Sequence, residues 1–207
     1  MIHPKGLCKM QTVPIRKKVF SMHLSTPAKS STARPFSVLW LTTCAMFMAL
    51  TIILSSFGVP VPGGKLYLCD IAITTAAILL DPLGAMLVGG IGSFLGDAIF
   101  YPAPMFVSLV VHGLQAFVIS WCAHNLFKNK PFYGALVGVI LGCIILVGGY
   151  TLGKIYVYSN FETAMLKMPY EIAQGVLGAS CGLLLTYGMG LRKIFMHMAS
   201  RSHASRI

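Results

Sequence analysis

From residue 36 onward the chain alternates long apolar runs with short breaks containing Pro, Gly, Asp or Lys. The runs predict six membrane-spanning helices at about 36–57, 66–80, 83–101, 104–127, 132–157 and 170–191, because about 20 apolar residues rising 1.5 Å each cross a hydrocarbon core. The second run is short, so it is expected to tilt little or to begin within the interface. Residues 1–35 carry no acid and no sustained apolar period. They read as a disordered basic tail rather than a cleavable signal, whose apolar core would be shorter than the run that starts at Phe36. The expected fold is an all-α membrane protein, with a six-helix domain over 36–192 and a basic tail over 193–207.

A few polar residues interrupt the apolar faces. Runs two and three turn back on each other at Asp81-Pro82, and each has one carboxylate near its far end, Asp70 and Asp97. At the helical rise these stand roughly 17 Å and roughly 22 Å above the turn, at a similar height. A carboxylate in an apolar segment is costly unless it faces a cavity, water or a partner, which makes both candidate binding groups. Asp70 lies nearer the loop and either faces a cavity or caps its helix.

Small residues recur at helical spacing and mark the faces that touch protein. Ala45 and Ala49 form an A-x-x-x-A in run one, and Ala85, Gly89, Ser93 and Asp97 follow one another at i to i+4 in run three. Gly134, Gly138 and Gly142 line run five, while Glu171, Gly175, Gly178 and Gly182 line run six. Asp97 and Glu171 each end such a stripe, so both are expected to point inward. Ser108, His112 and Gln115 share a face of run four, and polar groups from several helices thus converge in the outer half. Tyr67, Tyr101, Tyr150 and Tyr170 fall near that level. Tyr101 and Tyr170 suit an interfacial belt, whereas Tyr150 is deeper and suits ligand stacking. Lys154, one turn beyond Tyr150, offers the acids a structural partner instead of a ligand. The Pro60-Val61-Pro62-Gly63-Gly64 loop cannot be helical and can take positive φ at two positions, so Pro62, Gly63 and Gly64 form a candidate gating loop.

Composition adds orientation. The chain is 56% hydrophobic, with 16 Lys+Arg against 5 Asp+Glu. That basic excess flanks the apolar part, a pattern that argues for positive-inside topology rather than nucleic-acid binding. With both termini inside, the cytoplasmic segments hold 13 of the 16 basic residues and the outer side holds Lys65, Lys154 and Lys167. Six dispersed cysteines support neither a disulfide framework nor a zinc site. No phosphate-binding loop, H-E-x-x-H or G-x-S-x-G occurs, so nothing marks a catalytic residue, a metal site or a cofactor.

The order P-x-P-G-G (60–64), L-x-D (68–70), D-P-L-G-A (81–85), G-G-I-G-S-x-x-G-D (89–97) and Y-P (101–102) resembles the substrate-binding S components of energy-coupling-factor vitamin transporters, in particular the riboflavin-transporter-like group. His112-Gly113-Leu114-Gln115 resembles a K-G-L-E stretch of that group, and Pro169–Gly178 resembles its P-G-N-x-x-Q helix. The resemblance covers about residues 38–191. It implies a six-helix protein in the plasma membrane of a prokaryotic cell that binds a vitamin or vitamin precursor from outside. It also implies docking on a transmembrane T component with two cytoplasmic ATPases, and toppling to release substrate inward. The family's docking A-x-x-x-A corresponds to Ala45 and Ala49. His112 replaces a family Lys and Glu171 a family Asn, so substrate identity does not carry over. Met22-His23 precedes a polar segment rather than opening the chain, which sets cobalt and nickel aside.

The expected substrate contacts are Asp70, Asp97, His112, Gln115, Tyr150, Glu171 and Gln174. Three acids at one level favour a ligand with donors or positive charge, an aminopyrimidine or pyridine vitamer, which a carboxylate can hold by paired charge-assisted hydrogen bonds. A stand-alone proton-coupled carrier or channel using Asp97 and Glu171 as relays is the alternative. A membrane enzyme ranks below it, since no nucleophile or metal set accompanies the acids.

Overall fold

The computed structural model describes residues 35–127 and 129–204, with side chains through residue 200. The basic tail expected over 1–35 lies, but for Pro35, outside the described residues. Helix α1 (Val38–Ser56) leads into a two-stranded hairpin, β1 (Val59–Val61) and β2 (Gly64–Leu66). Helices α2 (Cys69–Leu79), α3 (Pro82–Phe100), α4 (Met105–Asn125) and α5 (Pro131–Gly153) follow. A π-helical turn, Lys154–Tyr158, extends α5; α6 (Phe161–Leu183) is extended by a second π turn, Leu184–Gly188, before α7 (Leu191–Ala204).

Among the described residues, four helices are long and apolar enough to cross a membrane, namely α1, α3, α4 and α5 with its π turn; α6 and α7 together supply a fifth, bent by 56°. Helix α2 has only 11 residues, about 17 Å at the helical rise and short of a full crossing. It sits in the middle of the bundle, packed on α1, α3, α4 and α6, and every residue of it except Ile71 is buried. A helix apolar all round belongs in such a position. The run expected to begin at Leu66 therefore starts three residues later, because Leu66 is held in the hairpin opposite Val59. Gly63 (φ 82°) and Gly64 (φ 149°) carry the reversal in the backbone region that a Cβ disfavours.

Helix α6 begins nine residues before the expected 170. Asn160 caps it by accepting from Thr163 N at 2.9 Å, and Pro169 lies inside the helix rather than before it. The small-residue stripes do set helix contacts. A Cβ on Gly89 would stand 2.5 Å from the His112 carbonyl oxygen of α4, and one on Gly178 would stand 2.4 Å from Asp70 Cβ of α2. Ala45 and Ala49 instead face outward on α1, beside exposed Leu41, Met46, Leu50 and Ile53. At the opposite end from the hairpin, Trp40 donates its indole N–H to Asp81, and Phe195 of α7 packs into the cluster of Trp40, Phe47, Leu80 and Val88.

Candidate functional site

The first turn of α2 brings Asp70 into contact with α4 and α6. Its Oδ1 accepts from Gln115 Nε2 at 3.1 Å and its Oδ2 from Gln174 Nε2 at 2.6 Å. Gln174 Oε1 in turn accepts the backbone N–H of Tyr67 at 3.0 Å, which fixes the amide's orientation and ties the end of the hairpin to α6. Gln115 points its NH2 at Asp70, so its oxygen is the acceptor for His112 Nδ1 at 2.8 Å. His112 consequently carries a proton on Nδ1. Asp70 is thus a buried hub and not a helix cap, and α2 begins without a side-chain capping bond.

A second group runs from α3 to α5. Ser108 donates to Asp97, and since a hydroxyl has one proton, the bond between Ser108 Oγ and Tyr150 OH is donated by the phenol. The Tyr150 ring meets His112 edge-on at 5.4 Å, which joins the two groups.

The third group is ionic. The π turn after α5 places Lys154 on Glu171 Oε1, and Lys167, one turn before Glu171 on α6, stands 3.9 Å from the same oxygen. Both ammonium groups lie over the Tyr150 ring, at 5.4 and 5.8 Å. Among the described residues, Glu171 Oε2 and the Tyr67 hydroxyl are buried with no hydrogen-bond partner. Tyr67 and Glu171 both line a small space of about 20 Å³, together with Tyr101, Tyr150, Tyr158 and Gln174, and Gly63 and Gly64 of the hairpin border it.

This hairpin-roofed pocket sits in a chain whose residues 35–193 match the family model of the ECF-type riboflavin transporter S component. The chain belongs to that family. It is also similar to an uncharacterised protein of Pyrococcus woesei, 33% identical over 142 residues that make up 67% of this chain and 93% of the relative. Its fold matches a solved structure of the S component of a bacterial ECF transporter with a TM-score of 0.58 and 18% identity, over 73% of this chain and 95% of that one. The S-component family and the apolar helices make this a multi-pass membrane protein.

Within this S component all seven expected contact residues are buried, and the three groups above bring them together. Only Tyr150, Glu171 and Gln174 border the enclosed space; Asp70, Asp97, His112 and Gln115 form the layer beyond it. The partner foreseen for the acids is realised at Glu171, which Lys154 holds. Lys167, expected in an outer loop, is the residue that the sequence reading missed. Its i, i+4 spacing to Glu171 is the available signal, which a sixth run starting at 170 leaves outside the helix. Donor atoms of Cys69, Asp70 and His112 lie within 4.8 Å of one another. Amide groups already occupy Asp70 and His112 Nδ1, so the set works as a hydrogen-bonded network rather than a ligand shell.

Proposed function

We propose that this S component captures a vitamin-type small molecule from the outer side of the plasma membrane and releases it inward after docking on a T component with two ATPases. The observation that carries the reading is a small space under the Gly63-Gly64 hairpin whose lining includes Tyr67 and Glu171, with the Tyr67 hydroxyl and Glu171 Oε2 buried and unpartnered among the described residues. Buried polar groups are costly to leave unpaired, and a ligand would pair them. The present 20 Å³ is far below the roughly 300 Å³ of a small-molecule pocket, so the hairpin lifts to admit substrate and closes over it. The basic termini fit an orientation with six crossings and both ends inside, α2 and the hairpin together making the second crossing.

The expected preference for an aminopyrimidine or pyridine vitamer rests chiefly on the unpartnered Glu171 Oε2, because the acids that suggested it are otherwise largely engaged. Gln115 and Gln174 hold Asp70, Ser108 holds Asp97 and Lys154 holds Glu171. The deciding experiment is mass spectrometry of small molecules retained after mild purification, followed by calorimetric titration of the molecule found. Retention of one compound that rebinds stoichiometrically supports the reading. Uptake by this chain alone in proteoliposomes under a proton gradient, without an ATPase, replaces it with a self-sufficient carrier.

A further inference from the structure

Charge around the enclosed space is unbalanced. Its wall holds two ammonium groups, Lys154 and Lys167, and one carboxylate, Glu171. Lys154 takes up Glu171 Oε1, and Lys167, only 7% exposed, has a 3.9 Å contact to that same oxygen and the Tyr150 ring at 5.8 Å, with no hydrogen bond among the described residues. An ammonium has three N–H donors, and burying it without acceptors is costly. Asp70 and Asp97 do not border the space and are hydrogen-bonded to other side chains, though Asp97 lies near enough to offset part of the Lys167 charge.

The position of Lys167 adds a direction. Cβ atoms on Gly63 and Gly64 would stand 3.0 Å from Lys167 Cβ and 3.4 Å from its Nζ, so the roof of the site rests along this side chain. An acceptor bound to Nζ would therefore lie directly under the hairpin turn. Beside Pro104 and Gln174, the rest of the wall is the rings of Tyr67, Tyr101, Tyr150 and Tyr158, which favour a flat ligand.

We propose that the ligand is a planar organic anion whose carboxylate oxygens bind Lys167 beneath the Gly63-Gly64 turn while its ring lies among the tyrosines. This rests on the substrate-binding reading above. Glu171 Oε2 accepts a donor from the ring, and the Lys154–Glu171 pair stays intact.

The test is calorimetric titration of the full chain in lipid nanodiscs with nicotinate, 4-aminobenzoate and 2-naphthoate, each against its neutral carboxamide, and with riboflavin as a neutral planar reference. At least one acid is expected to bind about tenfold or more tightly than its amide, the size of a charge-assisted hydrogen bond. Lys167→Met removes that preference, and Lys167→Arg, which keeps the charge, retains it; Lys167→Arg decides alone if Lys167→Met does not fold. Amides or riboflavin binding as tightly as the acids, an acid preference surviving in Lys167→Met or lost in Lys167→Arg, or no acid binding at all overturns the proposal. Riboflavin bound with every acid rejected overturns the charge assignment alone. Failure of every probe, together with no retained small molecule, removes the substrate-binding reading as well.

Discussion

The side-chain amide of Gln174 meets the Asp70 carboxylate at 2.6 Å across 104 residues of sequence, with its other end on the backbone N–H of Tyr67. One side chain thus locks α6, α2 and the hairpin together. Gln174→Leu leaves a buried carboxylate oxygen and a buried N–H unpaired, at about 1–3 kcal/mol each. Thermal unfolding in detergent should show a clear loss of stability. Gln174→Glu should be at least as damaging, because it sets a second carboxylate against Asp70.

The α2–α6 contact depends on the absence of a side chain at Gly178, where a Cβ would stand 2.4 Å from Asp70 Cβ. Gly178→Ala must push the helices apart, at about 1–3 kcal/mol. Gly148→Ala on α5 is the matched control, since a Cβ there meets nothing within 4 Å, and it should be neutral or slightly stabilising. Equal melting shifts for the two variants would contradict the packing.

Lys154 and Glu171 are both buried, so removing either leaves the other charge without its nearest partner. Lys154→Met should destabilise by about 3–5 kcal/mol by leaving Glu171 to the more distant Lys167. Glu171→Gln should also destabilise, by leaving two ammonium groups without their carboxylate. The double variant Lys154→Met/Glu171→Gln should recover much of the loss, a coupling that unfolding of the four proteins measures directly. Additive losses would mean the two side chains act independently.

Much of this arrangement is legible in the sequence, and the exceptions share a cause. Apolar runs and small-residue stripes locate helices and their contact faces, because those patterns are local: Gly89 and Gly178 are where backbones meet. The inward direction of Asp97 and Glu171 follows from the same spacing. What periodicity does not carry is which long-range partner each acid finds. Three acids at one level read as a negative cavity, while Gln115, Gln174, Ser108 and Lys154 consume that charge through contacts up to 104 residues apart. Asp70, which the sequence leaves between facing a cavity and capping its helix, proves to be the hub for the same reason. Lys167 falls before a sixth run that starts at 170, whereas α6 begins at Phe161 and carries Lys167 one turn before Glu171.

Ala45 and Ala49 face out of the bundle on α1, so bulky side chains there displace nothing inside. Ala45→Leu/Ala49→Leu should therefore keep the melting temperature and the affinity for the retained small molecule. If this face receives the T component, as small-residue faces do for close helix approach, the double variant should no longer co-purify with T component and ATPases expressed alongside it. Ala173→Leu, on an exposed position of α6, serves as the control and should still assemble. Loss of assembly in both variants would point to a general defect, and assembly in the double variant would move the docking face elsewhere on the bundle.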